Sequence, residues 1–495
     1  MGVVRKQSIL SSLFTYMGFA VGAVNILILF PKYFEPSQSG LTRVLLDVAL
    51  LFATACTLGS IPVTLKFYPF YNSYLPKKKN DLPFLTLLLC ATGCLLFLLV
   101  VPPMKSFIIR KFGERSPLFV DYFDLIYPFT ITLVFFSMLE AYAWSMKKTV
   151  LSNALKEFAF RVLTLLLIAS FAFHWLDFNR FIHLYAWVYL LPCLILLFAL
   201  IRSGNFPVNF SVSSVTRRLK GKIFAFGAFV FMGAILNIVA RTNDTIILAS
   251  QSPGGLKDAW IFNIAAYLVT VMEVPQRSLV SITTPFIAEA WRVRDMKKID
   301  RLYKKTALNL LVAGLGIFGL VLLNIEDAIK FLGNEYAPLT LLVLTGGIAK
   351  LIDLGTGLNT QILLLSKYWK IDFVTNMLLV VLCIPLNYWL TKSYGIMGPA
   401  YGNLIALTTF NLIRFLYIWK LFKLQPFTDS NVKALFIGAF AFCIVYFIPG
   451  FENIYINVIL KSALFMLLYG SGILYFKASA DINELFALVR SKLHW

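Results

Sequence analysis

Long apolar runs, separated by short polar and basic stretches, repeat along the whole chain. They span 8–30, 41–69, 84–103, 123–144, 158–176, 182–201, 223–249, 259–288, 307–323, 339–366, 373–390, 399–418, 434–448 and 457–476. A helix of roughly 20 apolar residues crosses a bilayer. Lipid offers no partner for a free backbone N–H or C=O, so each run is predicted to be a helix with its hydrogen bonds closed internally. The pattern predicts an all-α integral membrane protein of about 14 transmembrane helices, 434–448 being the shortest run. The first run follows Arg5 and Lys6 and contains small residues at Ala20 and Ala23. It is too long for a signal-peptide core and is read as a retained helix.

The polar stretches set the domain organisation. The longest lies between the sixth and seventh runs and is basic, with Arg217, Arg218, Lys220 and Lys222. It suggests an N-lobe at 1–201 (helices 1–6), a linker at 202–222 and a C-lobe at 223–419 (helices 7–12). Helices 13–14 follow at 420–476, then a tail at 477–495. The two lobes also match at one gapless offset. Tyr16-Met17-Gly18 corresponds to Phe231-Met232-Gly233, Gly40-Leu41 to Gly255-Leu256, and Glu157-Phe158 to Asp372-Phe373. Six helices separate the copies, so both start on the same side. This describes a parallel repeat about an axis along the membrane normal, an arrangement of transporters.

Composition sharpens this. Of 495 residues, 59% are hydrophobic and only 14% charged, against about a quarter charged in soluble proteins. That excludes a soluble enzyme, and no soluble basic face exists to bind nucleic acid. The net charge of +21 is instead a topology signal. The N-terminal end and the even loops hold 31 Lys and Arg, Arg414 and Lys420 after helix 12 among them, and the odd loops nine. Cytoplasmic loops carry such an excess. Both termini are therefore expected in the cytoplasm, and the protein in the cytoplasmic (inner) membrane. The six cysteines lie within apolar runs and the three histidines are scattered, so neither a disulfide framework nor a metal site is indicated.

Charges inside the runs are the candidate chemistry. A charged side chain at a helix centre costs about 2.5–3.5 kcal/mol on insertion scales. Here such charges come as opposite-sign pairs three or four residues apart, on one helix face. The pairs are Arg43 with Asp47, Arg241 with Asp244, Glu273 with Arg277, and Lys350 with Asp353. Glu273, Arg277, Lys350 and Asp353 lie near mid-helix and suit a cavity; ion pairs pinning two helices are the alternative. Arg43 lies close enough to an end to anchor at the interface with its stem snorkelling. The cations suit a phosphate group, and the acids a coupling ion, H+ or Na+. Pro62, Pro69, Pro275 and Pro285 are expected to kink helices 2 and 8.

Other chemistry is weakly represented. The first outer loop, Pro31 to Gly40, holds only Glu35, too little for the acidic motif of a polyprenyl-sugar transferase, and no G-x-S-x-G or phosphate-cradling glycine loop appears. No catalytic residue, metal or cofactor is expected. The tail Asp481–Trp495 has amphipathic spacing and reads as an interfacial helix. Arg292–Lys305 reads as a basic cytoplasmic face set by topology.

The chain resembles the polysaccharide-repeat flippases of the multidrug/oligosaccharidyl-lipid/polysaccharide exporter superfamily. The resemblance rests on the 6+6+2 helices and on Gly40-Leu41-Thr42-Arg43 leading into Thr57-Leu58-Gly59-Ser60. It rests further on Gly333-Asn334-Glu335-Tyr336-Ala337-Pro338 before helix 10, and on Tyr394-Gly395-Ile396-Met397-Gly398-Pro399-Ala400 opening helix 12. It implies two lobes forming a V and translocation of an undecaprenyl-diphosphate-linked oligosaccharide to the outer leaflet for surface polysaccharide or O-antigen assembly. Partners would be membrane lipids and a polymerase or glycosyltransferases of the same pathway. The first run has no arginine, unlike lipid II flippases, and no acid, unlike many drug/cation antiporters of the superfamily. These two, and a membrane glycan-modifying enzyme, are the alternatives.

Overall fold

The computed structural model describes residues 2–146, 148–203, 206, 209–479, 481, 483 and 484, and contains no strand among them. Among the described residues, the fourteen runs become fourteen rods. They are α1 (2–33), α2 (36–74), α3 (Leu82–Phe112), α4 (Ile126–Ser145), α5 (149–172), α6 (Phe178–Arg202), α7 (Ser214–Gln251), α8 (256–293), α9 (Met296–Leu323), α10 (339–365), α11 (Trp369–Tyr394), α12 (Gly398–Phe422), α13 (Asp429–Tyr446) and α14 (Ile454–Tyr475). Among the described residues, eleven helical stretches are long and apolar enough to cross a membrane by themselves, one of them holding both α11 and α12. Large apolar side chains point outward, among them Leu99, Phe198, Phe436 and Leu467, each more than 60% exposed. Only a lipid solvent makes such a surface favourable.

The rods repeat. Each of α7 to α12 begins between 212 and 220 residues after its counterpart in α1 to α6. The chain groups into two compact units, Met1–Trp260 and Ile261–Trp495. In the first, α7 packs along α2, and α2 along α4, so the seventh rod is grouped with the six before it. The linker is shorter than composition suggested, because α7 already starts at Ser214. Ser213 caps it, its hydroxyl accepting from Thr216 N at 3.2 Å. Asp81 ties this start to the head of α3 by accepting from Ser213 N and Thr216 Oγ1, each at 2.8 Å. At 38 residues, α7 is about 57 Å long, nearly twice the hydrocarbon thickness. Its basic first turns therefore stand clear of the lipid.

Close backbone approach fixes the other end of α2. A Cβ at Gly40 would collide with the carbonyl of Leu256, the residue repeat-equivalent to Leu41. In the second unit, α9 packs against α13 and α14, around Val312, Ala441, Phe465 and Tyr469.

The prolines do more than kink. Helix α2 breaks at 57–59 and resumes at Ser60, while α8 breaks at 271–272 and resumes at Glu273. Pro62 and Pro275 each occupy the third position after the break. A proline has no N–H to close the preceding turn, so it is tolerated where a helix restarts. In α2 the chain turns through Leu58 (φ 46°) and Gly59 (φ 78°). Pro69 and Pro285 remain within continuous helix. The tail expected to lie at the interface falls largely outside the described residues.

Candidate functional site

Two helix breaks build the main polar site, within the second unit. The break in α8 puts Glu273 at the first position of the resumed helix, where the positive end of the helix dipole favours an anion. A second break, at 356–358 in α10, follows Asp353 by one turn. Lys350 joins them. Its Nζ lies 3.0 Å from Glu273 Oε1 and 2.9 Å from Asp353 Oδ2. Arg277 reaches Glu273 Oε2 from one turn away at 3.2 Å. The two pairs expected from the sequence are thus one cluster across α8 and α10. Lys350 is 14% exposed and Arg277 66%, so the cluster runs from the interior of the unit to an accessible edge. Met272, Leu310 and Leu354 form an apolar core beside it.

The cluster continues inward through residues that sequence reading missed. Asn411 on α12 donates to Asp353 Oδ1 at 3.4 Å, and Gln276 to Asp353 Oδ2 at 3.3 Å. Asn359 donates to Asn411 Oδ1 at 2.8 Å, and Thr360 to Asn359 Oδ1 at 3.3 Å. Arg414 then donates to Thr360 Oγ1 at 2.5 Å and to Thr375 Oγ1 at 2.9 Å, and pairs with Asp372 of α11. An unbroken hydrogen-bonded path therefore runs from Arg277 to Asp372. Neutral amides carry no charge-pair signature in a sequence, and Asn411 and Gln276 gain meaning only from the carboxylate that they meet.

Arg414 corrects the charge count. It is not a loop cation: it is wholly buried, with its guanidinium 4.0 Å from the Phe410 ring. Helix α12 runs eight residues past it, to Phe422, about two turns deeper than an interfacial residue. Asp372 supplies the counter-charge that makes such depth tolerable. Lys156 and Arg161, which are among the 31 cations assigned to the even loops, lie within α5. Lys156 bonds Glu140 of α4 at 2.9 Å, and Arg161 pairs with Glu157 at 3.2 Å. Glu140 is 6% exposed; an acid inside an apolar run is signal enough to have found it.

The first unit holds the other predicted residues. Arg43 Nε lies 2.8 Å from Asp47 Oδ2. Asp47 is buried and also accepts from Thr245 Oγ1 of α7 at 2.5 Å. Arg43 is therefore drawn into the helix packing, although it keeps 31% exposure. Arg241 is exposed and Asp244 half-buried, on the same stretch of α7. Among the described residues, no group of three or more His, Cys, Asp or Glu could hold a metal ion.

No protein-family model matches the sequence, and no curated protein matches it. Solved structures do match its fold. A lipid II flippase, MurJ, in its inward closed conformation aligns with a TM-score of 0.73 at 13% identity, over 94% of this chain and 98% of that one. The inward-facing conformation of a multidrug resistance MATE family transporter of the MOP superfamily aligns at 0.63 and 14% identity, over 84% of this chain and 94% of that one. A MATE in complex with MaL6 aligns at 0.52 and 15% identity, over 85% and 96%. The fourteen rods with their doubled set of six therefore make up the fold shared by the lipid II flippase and the MATE transporters of the MOP superfamily, the fold class that the sequence resemblance implied.

Proposed function

We propose that this chain is a flippase of the cytoplasmic membrane, not an enzyme. It moves an undecaprenyl-diphosphate-linked oligosaccharide repeat unit from the cytoplasmic to the outer leaflet by alternating access, for surface polysaccharide such as O-antigen. The observation that carries this is Lys350, held between Glu273 and Asp353 with Arg277 beside them. A largely desolvated cation, Lys350, with Arg277 at the accessible edge, is what a diphosphate needs to leave water. The fold likeness to a lipid II flippase supports a lipid-linked substrate. The diphosphate draws Arg277 and Lys350 away from Glu273 and Asp353. Those carboxylates, left without their cations, are then neutralised by taking up H+ or Na+, which couples transport to an ion gradient. Arg43 with Asp47 and Arg241 with Asp244 form the second cationic set.

Charge-assisted hydrogen bonds contribute about 1.5–3 kcal/mol each, so Arg277→Ala or Lys350→Ala should lower glycan export roughly 10–100-fold at normal membrane levels of protein. Glu273→Gln and Asp353→Asn should keep binding and impair ion-coupled transport. Full export by both alanine variants would leave these charges as structural pairs.

A second reading, translocation of lipid II, is favoured by the TM-score of 0.73 to the lipid II flippase. The two substrates share the diphosphate and differ in the sugar. Purified chain in vesicles offered each in turn separates them.

A further inference from the structure

The basic stretch that opens α9 is part of a cavity. About 810 Å³ of space lies in the second unit between the start of α9, the start of α13 and the end of α14. Five cations line it: Lys297, Arg301, Lys304, Lys305 and Lys477. Lys304 is held by Asp300 at 2.7 Å and Lys305 by Asp481 at 2.6 Å. Lys297, Arg301 and Lys477 are exposed and have no ion-pair partner among the described residues. The lining also includes the acids Asp300, Asp481 and Glu484, Thr428 and Ser430 at the start of α13, and Met296 at the start of α9. Cations thus outnumber acids in the lining by five to three, and three of the five lie outside the ion pairs with Asp300 and Asp481.

Its level in the membrane can be read from its rim. Tyr475, two residues before the lining residue Lys477 at the end of α14, is 82% exposed. An exposed tyrosine at a helix end marks the headgroup layer. This is the end of α9, α13 and α14 where Lys and Arg concentrate, as on a cytoplasmic face.

We infer that this cavity binds the phosphate of an anionic phospholipid headgroup, drawn from the surrounding leaflet. Lys297, Arg301 and Lys477 supply the charge, Ser430 a hydroxyl donor, and the acyl chains lie along the exposed apolar flank of α13 and α14. The inference is independent of what the chain transports.

The test uses the full chain in nanodiscs of phosphatidylcholine, of phosphatidylcholine with phosphatidylglycerol, and of phosphatidylcholine with millimolar inorganic phosphate. Melting midpoint is read together with retained lipid by native mass spectrometry. Phosphatidylglycerol should raise the midpoint and be retained. In Lys297→Gln/Arg301→Gln/Lys477→Gln its affinity should fall on the order of 100-fold, with the midpoint in plain phosphatidylcholine unchanged. Arg301→Glu alone should act in the same direction and serves if the triple variant fails to fold. Equal responses of parent and variants to phosphatidylglycerol would overturn the site. A full shift from inorganic phosphate alone would overturn its assignment to a lipid.

Discussion

Replacing Arg414 by alanine separates an interior arginine from a loop arginine. In the structure the side chain is wholly buried and bonds three residues, Thr360, Thr375 and Asp372. Its removal leaves Asp372, whose side chain is 11% exposed, without a cation. Breaking a buried pair in this way costs about 3–5 kcal/mol, and the loss of two further hydrogen bonds falls within that range. For a unit the size of 261–495, each kcal/mol lowers the melting midpoint by roughly 2–4 °C, so a fall on the order of 10 °C is expected. Arg414→Lys should recover little, since one ammonium cannot reproduce the guanidinium fork. Arg414→Leu with Asp372→Leu should recover much of it, because no unpaired charge then remains. Thermal unfolding of the detergent-solubilised protein, followed by size-exclusion fluorescence, measures all three. A midpoint for Arg414→Ala within about 2 °C of the parent, which corresponds to the effect of an ordinary surface substitution, would refute the buried assignment and return Arg414 to the loop.

Thr245→Val should cost about 1–3 kcal/mol by leaving the buried Asp47 one donor short, whereas Thr245→Ser should be nearly neutral in the same melting assay. Gly40→Ala should destabilise by roughly 1–3 kcal/mol, because its Cβ meets the backbone carbonyl of Leu256, which cannot rotate away; an unchanged midpoint would mean that α2 and the start of α8 are not in contact there. On a cysteine-free background, Lys79→Cys and Lys298→Cys should resist impermeant thiol reagents in intact cells and Lys257→Cys and Lys392→Cys should react, and outside labelling at position 298 would reverse the topology.

The sequence by itself determined the fourteen helices and their doubling. Lipid forbids an unpaired backbone, so twenty apolar residues admit one answer, and no long-range contact is needed to reach it. It also marked Arg43, Asp47, Glu273, Arg277, Lys350 and Asp353, because a charge in an apolar run is conspicuous wherever it lies. Tertiary structure alone decided how those charges are used. Helical spacing offers each of them a neighbour on its own helix, and cannot reveal that Lys350 also reaches Glu273 on α8 or that Asp47 takes a bond from Thr245 on α7. It likewise treats Pro62 and Pro275 as kinks, although each falls where a helix restarts after a break. Arg414 shows the physical reason most plainly. Its counter-ion, Asp372, lies 42 residues away, and whether a cation belongs to water or to the interior is settled by the partner that packing brings to it.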